Sequence, residues 1–335
     1  MFRRRDTIIT MKKTITTSEI RSKLKSCVDL KPKLLVIDDL KWRYLCRSVL
    51  RGKNTLLVGP TGCGKTLAAQ SVASAYVNSD KFFYFNLGST QDARSTLIGN
   101  THFNKESGTI FNESTFVTAL RTSGAIILLD EISRAHPDAW NILMSVLDPI
   151  QRYLRLDEKR DSEVVKVSDG VTFLATANIG NEYTSTKIMD RALMNRFSVK
   201  IEMNPLDKES ELKLLSERFS ISNPTEVSIL TSLVEISDHT RKSVKSEDTC
   251  LSNFLSTRDG VEMAELVTDG FSLLEIAENV IYPNFDSEGG TESERTYIKQ
   301  LVQKYVVDDS LPKNLFTEKV GKSKTNPVTN STVPF

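Results

Sequence analysis

The sequence predicts an α/β domain built on a parallel five-stranded sheet flanked by helices, followed by a smaller domain that is entirely α-helical. Two observations in the chain of 335 residues lead to this fold class. Short apolar runs alternate with amphipathic helical stretches as far as Pro205, which is the pattern of a parallel sheet covered by helices. Beyond Pro205 only the helical period remains, and the length suits about two domains.

The predicted strands are short and separated by amphipathic helices, such as the one predicted over residues 65–78. The runs 125–129 and 171–175 are almost continuously apolar, as expected for strands that are covered on both faces. The five predicted strands are 55–58, 82–86, 125–129, 171–175 and 198–203. Because strands and helices alternate along the chain, the sheet is expected to be parallel.

Changes in composition and periodicity set the predicted domain boundaries. Residues 1–34 are predicted as a flexible basic segment with one helix near residues 18–26. Residues 35–205 are predicted as the α/β core, 206–310 as a helical lid domain and 311–335 as a disordered tail. The predicted lid helices are 207–219, 224–237, 258–267, 271–282 and 290–305. Two polar stretches of the core, residues 100–110 and 152–167, are predicted as exposed loops or hairpins.

Composition excludes several classes of protein. Hydrophobic residues form 39% and charged residues 26% of the chain, which favours a globular protein over a disordered one. The longest central aliphatic run, 125–129, is far shorter than the roughly 20 apolar residues of a membrane span. No apolar h-region follows the basic start, so we expect no secretory signal. The four cysteines show no metal-ligand spacing, so we expect a cytoplasmic protein. Because no apolar run is long enough to span a bilayer, we expect no membrane partner.

The most specific motif follows the first predicted strand. Residues 59–66 match G-x-x-x-x-G-K-[ST] between a strand and a helix, the context in which this pattern binds nucleotide phosphates. Glycines let the backbone approach closely and point N–H groups at phosphate oxygens, and the helix N-terminus adds partial positive charge. We expect Lys65 to reach the β- and γ-phosphates of ATP and the Thr66 hydroxyl to bind Mg²⁺. The predicted nucleotide-binding residues are Gly59, Pro60, Thr61, Gly62, Cys63, Gly64, Lys65 and Thr66.

A second motif of two acids follows the strand predicted at 125–129. Asp130 in this position is expected to hold Mg²⁺, directly or through one of its water ligands. Glu131, whose side chain points elsewhere, can polarise the attacking water as a general base. A solvated strand end is the alternative explanation of the two acids, and their place downstream of a phosphate loop favours the catalytic interpretation.

Together these motifs resemble those of AAA+ ATPases, and most of all the MoxR/CobS group of dynein-related AAA+ proteins. The similarity covers about residues 50–200, and the segments occur in the order typical of the family. The matching segments are 59–66 (GPTGCGKT), 128–135 (LLDEISRA), 175–178 (ATAN) and 191–197 (RALMNRF). A weaker match, Ser256-Thr257-Arg258, continues into the helical domain. Members of the group commonly have Asn at the position of Ser133 and Pro at the position of Thr257.

The resemblance implies catalytic roles for three further residues. Asn178 is implied to be the sensor that orients water against the γ-phosphate. Arg196 resembles the arginine finger, which reaches the ATP of a neighbouring subunit and neutralises charge in the transition state. Arg258, at the start of a lid helix, resembles the second sensor, which couples the lid to the γ-phosphate of its own subunit.

Three other residues are open candidates. Arg134 and Arg191 are either contacts between subunits or ordinary surface charges. Asn86 ends the second predicted strand, a position from which it would hold Glu131 inactive until a partner binds. The stretches 100–110 and 152–167 occur where this group has inserted hairpins that face a pore or a partner, and solvated loops are the alternative.

The implied function is ATP hydrolysis with Mg²⁺ in a homo-oligomeric ring, expected to be hexameric. Hydrolysis would drive remodelling of a partner protein or metal insertion into it, and in this group the partner often carries a von Willebrand A-type domain. Two alternatives stay open. A nucleic-acid-stimulated motor or loader is favoured only by Arg3–Arg5, Lys12 and Lys13, so nucleic acid is not the expected partner. A nucleotide-dependent scaffold with little turnover is opposed by the complete set of catalytic motifs.

The formal net charge of +1 conceals a large difference between the two predicted domains. Residues 206–310 contain ten basic and 21 acidic residues, a net charge of −11, whereas 1–205 carry +9 and 311–335 carry +3. In a ring, the lid of one subunit can face the core of its neighbour. We therefore expect the opposite charges to favour head-to-tail assembly.

Raising the salt concentration should weaken this assembly, because salt screens the attraction between exposed charges. Sedimentation velocity of the chain at low and at high salt measures the effect, and smaller species are expected at high salt. The same assembly size under both conditions would mean that these charged faces do not meet.

Overall fold

The structure is a computed structural model that describes residues 16–90, 92–104, 108–159, 161–178, 189–244 and 251–306. The chain divides between Leu206 and Asp207 into two compact units. Residues 1–15 of the predicted basic segment, the predicted tail 311–335 and Cys250 lie outside the described residues. Within the described ranges, no helix combines the length and the apolar character that crossing a bilayer requires.

A parallel five-stranded sheet forms the centre of the first unit. The strands of the described residues are β1 (Thr55–Val58), β2 (Phe82–Asn86), β3 (Gly99–Asn104), β4 (Gly108–Glu113), β5 (Ile126–Asp130), β6 (Tyr153–Leu156), β7 (Glu163–Lys166), β8 (Thr172–Ala177) and β9 (Val199–Glu202). The central sheet has the order β2-β5-β8-β1-β9, and its neighbours are parallel. The predicted fold class is therefore confirmed, and the carboxyl ends of β5, β8 and β1 lie side by side.

Helices cover both faces of this sheet. The helices of the first unit are α1 (Thr17–Ser26), α2 (Asp39–Leu50), α3 (Lys65–Tyr76), α4 (Ala93–Leu97), α5 (Thr115–Arg121), α6 (Pro137–Val146) and α7 (Arg191–Asn195). Successive residues of β5 enter opposite cores: Ile126 and Leu128 pack in the core with α2 and α3, whereas Ile127 and Leu129 pack in the core with α5 and α6. This burial on both faces explains why β5 is apolar throughout.

The second unit is helical, as predicted. Its helices are α8 (Lys208–Phe219), α9 (Pro224–Val244), α10 (Thr257–Thr268), α11 (Leu273–Ile276), which continues as a π-helix (Ala277–Ile281), and α12 (Glu294–Gln303). Short 3₁₀-helices in the two units are Cys27–Leu30, Ser79–Lys81, Ile132–Arg134, Tyr282–Asn284 and Gly290–Glu292.

The start of the described chain contains the helix predicted near residues 18–26 within the flexible segment 1–34. From residue 17 it forms helix α1, and the side chains of Ile20 and Cys27 are buried. The indole N–H of Trp42, on α2, donates to the carbonyl of Cys27 at 2.6 Å. Helix α2 itself is missing from the sequence prediction, although Asp38 caps its first turn by accepting N–H bonds from Leu40 and Lys41.

Both predicted polar stretches of the core are antiparallel hairpins, formed by β3 with β4 and by β6 with β7. The second hairpin is not wholly exposed, because Leu154, Leu156 and Val165 of its inner face are buried against the core. Its charged residues alternate with these positions, which is why the sequence pattern suggests an exposed hairpin.

A buried ion pair joins helices of the second unit. The guanidinium of Arg241, on α9, donates to both carboxylate oxygens of Glu211, on α8, at 2.5 and 2.9 Å. Its Nε donates to the carbonyl of Leu255, just before α10, at 2.7 Å. These contacts explain why α9 continues past the predicted end at residue 237, since its last polar residues are buried and bonded inside the unit.

Replacing Glu211 by glutamine should destabilise the second unit by about 3 kcal/mol, because a buried guanidinium would lose its counter-charge. Glu217→Gln on the same helix is the matched control, since its 3.9 Å pair with Lys213 is exposed and should contribute little. Amide hydrogen exchange of the second unit measures both effects. Equal protection in the two variants would contradict a structural role for the buried pair.

Candidate functional site

The predicted phosphate loop lies between β1 and α3. Gly62 and Gly64 have φ angles of 77° and 83°, left-handed conformations that glycine adopts without strain. A Cβ atom on Gly59 would lie 2.0 Å from the carbonyl oxygen of Met203, which follows β9, so the position has no room for a side chain. The backbone of the loop thus depends on its glycines, as anion binding at a helix N-terminus requires.

Lys65 turns its side chain back into the loop. It is buried, and its Nζ donates to the carbonyl oxygens of Gly59 and Pro60 at 2.8 and 2.6 Å. Burial lowers the pKa of Lys65, because a charged ammonium is less stable away from water. Phosphate oxygens would give this ammonium stronger, charge-assisted acceptors than two carbonyl groups.

Cys63 is a buried member of the same loop. Its Sγ lies 3.8 Å from the Nζ of Lys65, and burial raises the pKa of the thiol. A buried thiol with a raised pKa is a poor nucleophile. We therefore interpret Cys63 as a small side chain that fills space in the loop.

Asp130, the last residue of β5, accepts hydrogen bonds from three hydroxyl groups. The Thr66 hydroxyl lies 2.9 Å from its Oδ1 and 3.2 Å from its Oδ2, so the two residues predicted to hold Mg²⁺ are in contact. The Tyr84 hydroxyl, from β2, donates to Oδ2 at 2.9 Å, and the Thr176 hydroxyl, from β8, donates to Oδ1. Burial, together with the bond to Asp130, raises the pKa of Tyr84 to about 12.

Glu131 follows with a φ of 55°, a left-handed conformation that is uncommon outside glycine. Its backbone N–H donates to the hydroxyl of Thr176 at 3.0 Å. Its carboxylate packs against Gly88, where a Cβ atom would lie 2.2 Å from the Oε2 of Glu131. Arg134 forms a 3.4 Å ion pair with the same oxygen, within one subunit.

Asn178 and Asn86 flank the two acids. The amide Nδ2 of Asn178 lies 3.4 Å from the hydroxyl of Thr61, which brings the predicted sensor to the phosphate loop. Asn86 accepts the N–H bonds of Gly88 and Ser89 at 2.9 and 3.3 Å. Its oxygen thereby shapes the turn that carries Gly88 to Glu131, rather than bonding to Glu131 itself.

The structure does not bring Arg196 to this loop. Its Nε donates to the carbonyl of Met144 at 2.6 Å, and Nη1 donates to the carbonyl of Ala192 at 2.9 Å. Its own carbonyl accepts a bond from Asn54, which precedes β1. The phosphate loop lies at the other end of β1, about 13 Å farther along the strand.

The other two arginine candidates are exposed. Arg191 is exposed at the start of α7. Arg258 is the exposed second residue of α10 and belongs to the second unit.

The residues at the loop fit a nucleotide with magnesium. Thr66 and Asp130 supply hard oxygen donors 2.9 Å apart, the type of ligand that Mg²⁺ prefers. The part of the chain that the structure describes contains no cluster of three or more His, Cys, Asp or Glu residues that would hold a metal by itself. Mg²⁺ is usually held by one or two protein ligands together with phosphate oxygens and water, and Thr66 and Asp130 would be two such ligands.

Three residues at the site are absent from the sequence prediction: Tyr84, Gly88 and Thr176. Thr176 lies within the ATAN segment, two positions before Asn178, and the two-residue period of a strand puts both on one face. This two-residue spacing is the sequence signal that could have identified Thr176. Tyr84 and Gly88 reach the acids only because β2 pairs with β5 in the register Asn86 opposite Asp130, which no local pattern contains.

Known proteins resemble the chain over this region. Residues 54–197 match the family model of the AAA domain, dynein-related subfamily. The protein named "Putative chaperone BssE" of Thauera aromatica is 30% identical over 224 residues, covering 66% of this chain and 72% of that protein. The uncharacterized protein SH1500 of Staphylococcus haemolyticus is 30% identical over 220 residues, covering 64% and 78%. A closed-state structure of Hsp104 with ATPγS and casein has a TM-score of 0.47 at 19% identity, over 79% of this chain and 47% of that chain.

Replacing Gly88 by alanine should slow ATP hydrolysis about tenfold to a hundredfold while ATP still binds, because the new Cβ atom would displace the carboxylate of Glu131. Turnover and binding of a fluorescent ATP analogue measure the two effects. Ser89→Ala in the same turn is the control, since among the described residues its hydroxyl bonds to the carbonyl of Asn86, at 3.4 Å, and not to Glu131. Normal turnover in Gly88→Ala would contradict the role assigned to Glu131.

Proposed function

Because the chain belongs to the dynein-related family of AAA domain ATPases, we propose that it hydrolyses ATP with Mg²⁺ in a ring of identical subunits and uses the energy to remodel a partner protein. The observation that carries the proposal is the contact between the Thr66 hydroxyl and Asp130, with Lys65, Glu131 and Asn178 around it. Membership of this ATPase family implies nucleotide binding, and the roles of single residues are our proposal.

In this mechanism the phosphate loop holds ATP through its backbone N–H groups, and Lys65 donates to the β- and γ-phosphates. Thr66 and Asp130 would hold Mg²⁺, which would supply positive charge that stabilises the transferred phosphoryl group. Glu131 accepts a proton from the attacking water, and Asn178 orients that water. The water oxygen bonds to the γ-phosphorus while the bond between the γ-phosphorus and the β–γ bridging oxygen breaks. The bridging oxygen leaves with ADP, and the γ-phosphoryl group becomes phosphate.

Arg196 is proposed to act on the ATP of a neighbouring subunit. The proposal is supported by its position at the far end of β1, which separates it from the loop of its own subunit. Its guanidinium would have to exchange the carbonyl groups of Met144 and Ala192 for a neighbour's phosphate. Hydrolysis would then depend on assembly, for which we propose a hexamer, the common state of AAA+ rings.

The coupled work is proposed to be protein remodelling. The name of the Thauera relative describes a chaperone, which supports this choice. The resemblance to CobS offers metal insertion as the alternative to remodelling. The partner that receives the metal would then carry a von Willebrand A-type domain. For Arg258 we propose the second sensor role in the helical unit.

Mixing two inactive variants tests the proposed arrangement. Glu131→Gln and Arg196→Ala should each lower turnover at least about a hundredfold when alone, since each removes a group of the transition state. Mixed together they should regain activity, because Arg196 of a Glu131→Gln subunit can complete the intact site of an Arg196→Ala neighbour. Steady-state phosphate release measures the recovery.

The matched control mixes Glu131→Gln with Lys65→Ala. Both variants are damaged in the site that binds their own ATP, so no neighbour can complete a site, and the mixture should stay inactive. An inactive mixture of Glu131→Gln with Arg196→Ala, made of variants that still bind a fluorescent ATP analogue, would contradict the role of Arg196 between subunits.

A further inference from the structure

We infer that Thr176 positions Asp130 and Glu131 together, and that Tyr84 positions Asp130 alone. The inference rests on the proposed function, because it concerns the metal ligand and the general base of that reaction. Neither residue would touch the reacting atoms, so both act as positioning residues.

Thr176 makes two different hydrogen bonds with its single hydroxyl. It donates its proton to Oδ1 of Asp130 and accepts the backbone N–H of Glu131 at 3.0 Å. A hydroxyl has one proton and two lone pairs, so it can make both bonds at once. The residue is 1% exposed on β8, between β5 and β1, and the sheet therefore holds the hydroxyl in place.

The second bond supports an unusual backbone conformation. Glu131 has a φ of 55° without being a glycine, and such residues persist only where their surroundings fix them. The bond from its N–H to Thr176 is such a constraint, and the packing of its carboxylate on Gly88 is another. Loss of the Thr176 hydroxyl would free the peptide group that links the metal ligand to the base.

Tyr84 reaches the same carboxylate from the opposite side. Its hydroxyl donates to Oδ2 of Asp130 at 2.9 Å, whereas Thr176 occupies Oδ1. Tyr84 stands on the edge strand β2, opposite Leu128, and its side chain is 44% exposed. Since its hydroxyl bonds to Asp130 and Glu131 is held by other groups, Tyr84 should affect the metal and leave the base in place.

Thr176→Val keeps the shape of the side chain and removes the hydroxyl. We expect it to weaken metal binding about tenfold and to lower kcat about tenfold even at saturating metal, because both acids lose a partner. Thr176→Ser, which restores the hydroxyl, should recover most of both losses. Metal affinity is read without turnover from the binding of Mn²⁺, a paramagnetic substitute for Mg²⁺, in the presence of a non-hydrolysable ATP analogue.

Tyr84→Phe should separate the two effects. We expect Mn²⁺ affinity to fall about tenfold while kcat at saturating metal stays close to that of the unchanged chain. Tyr44→Phe is the matched control, since Tyr44 has a similar exposed fraction of 42% and lies on α2. Thr172→Val is the control for Thr176→Val, because it removes another buried hydroxyl from the amino end of β8.

The inference is overturned if Thr176→Val keeps both the Mn²⁺ affinity and the kcat of the unchanged chain, or if Thr176→Ser is as impaired as Thr176→Val. It is also overturned if Tyr84→Phe lowers kcat at saturating metal as much as Thr176→Val does. Glu131→Gln separates this failure from a failure of the proposed function. If Glu131→Gln abolishes turnover while Thr176→Val changes nothing, the function stands and the positioning role falls.

Discussion

Hydrogen bonds to the carboxylate of Asp130 connect helix α3 with strands β2, β5 and β8 in the first unit. Parallel pairing of β5 with β2 and β8 sets Asp130 beside strands that come from distant parts of the sequence. Hydroxyl groups of Thr66, Tyr84 and Thr176 then bond to one buried carboxylate. The phosphate loop and the residues proposed as metal ligands and base are thus positioned relative to one another by the order of the sheet.

The sequence was sufficient for several features that depend on local spacing. The phosphate loop, the strand that ends in Asp130 and the change to a helical unit near residue 205 each have a periodicity or a motif of their own. Polar residues inside a helix misled the prediction, as in α9, where Arg241 is buried and pairs with Glu211 of another helix. The sequence of α9 alone does not identify such a partner.

The parts of the site that could not be predicted depend on pairing between segments. Gly88 matters because its missing side chain leaves space for Glu131, and Tyr84 because its strand lies next to β5. The location of Arg196 is another example. Its motif identified the residue, but only the parallel register of β9 with β1 puts it at the end of the sheet away from the phosphate loop. Because Arg196 is far from the phosphate loop of its own subunit, the proposed mechanism has it act on the loop of a neighbouring subunit. Hydrolysis then depends on assembly.

We propose that the loop and the Asp130 cluster form one ATP and magnesium site. A cryo-EM or crystal structure of the Glu131→Gln chain with ATP and Mg²⁺ tests it most directly. We predict that Nζ of Lys65 exchanges the carbonyl oxygens of Gly59 and Pro60 for phosphate oxygens, with Mg²⁺ beside Thr66 and Asp130. Nucleotide bound elsewhere, or a loop in which Lys65 keeps its two carbonyl partners, would contradict the account.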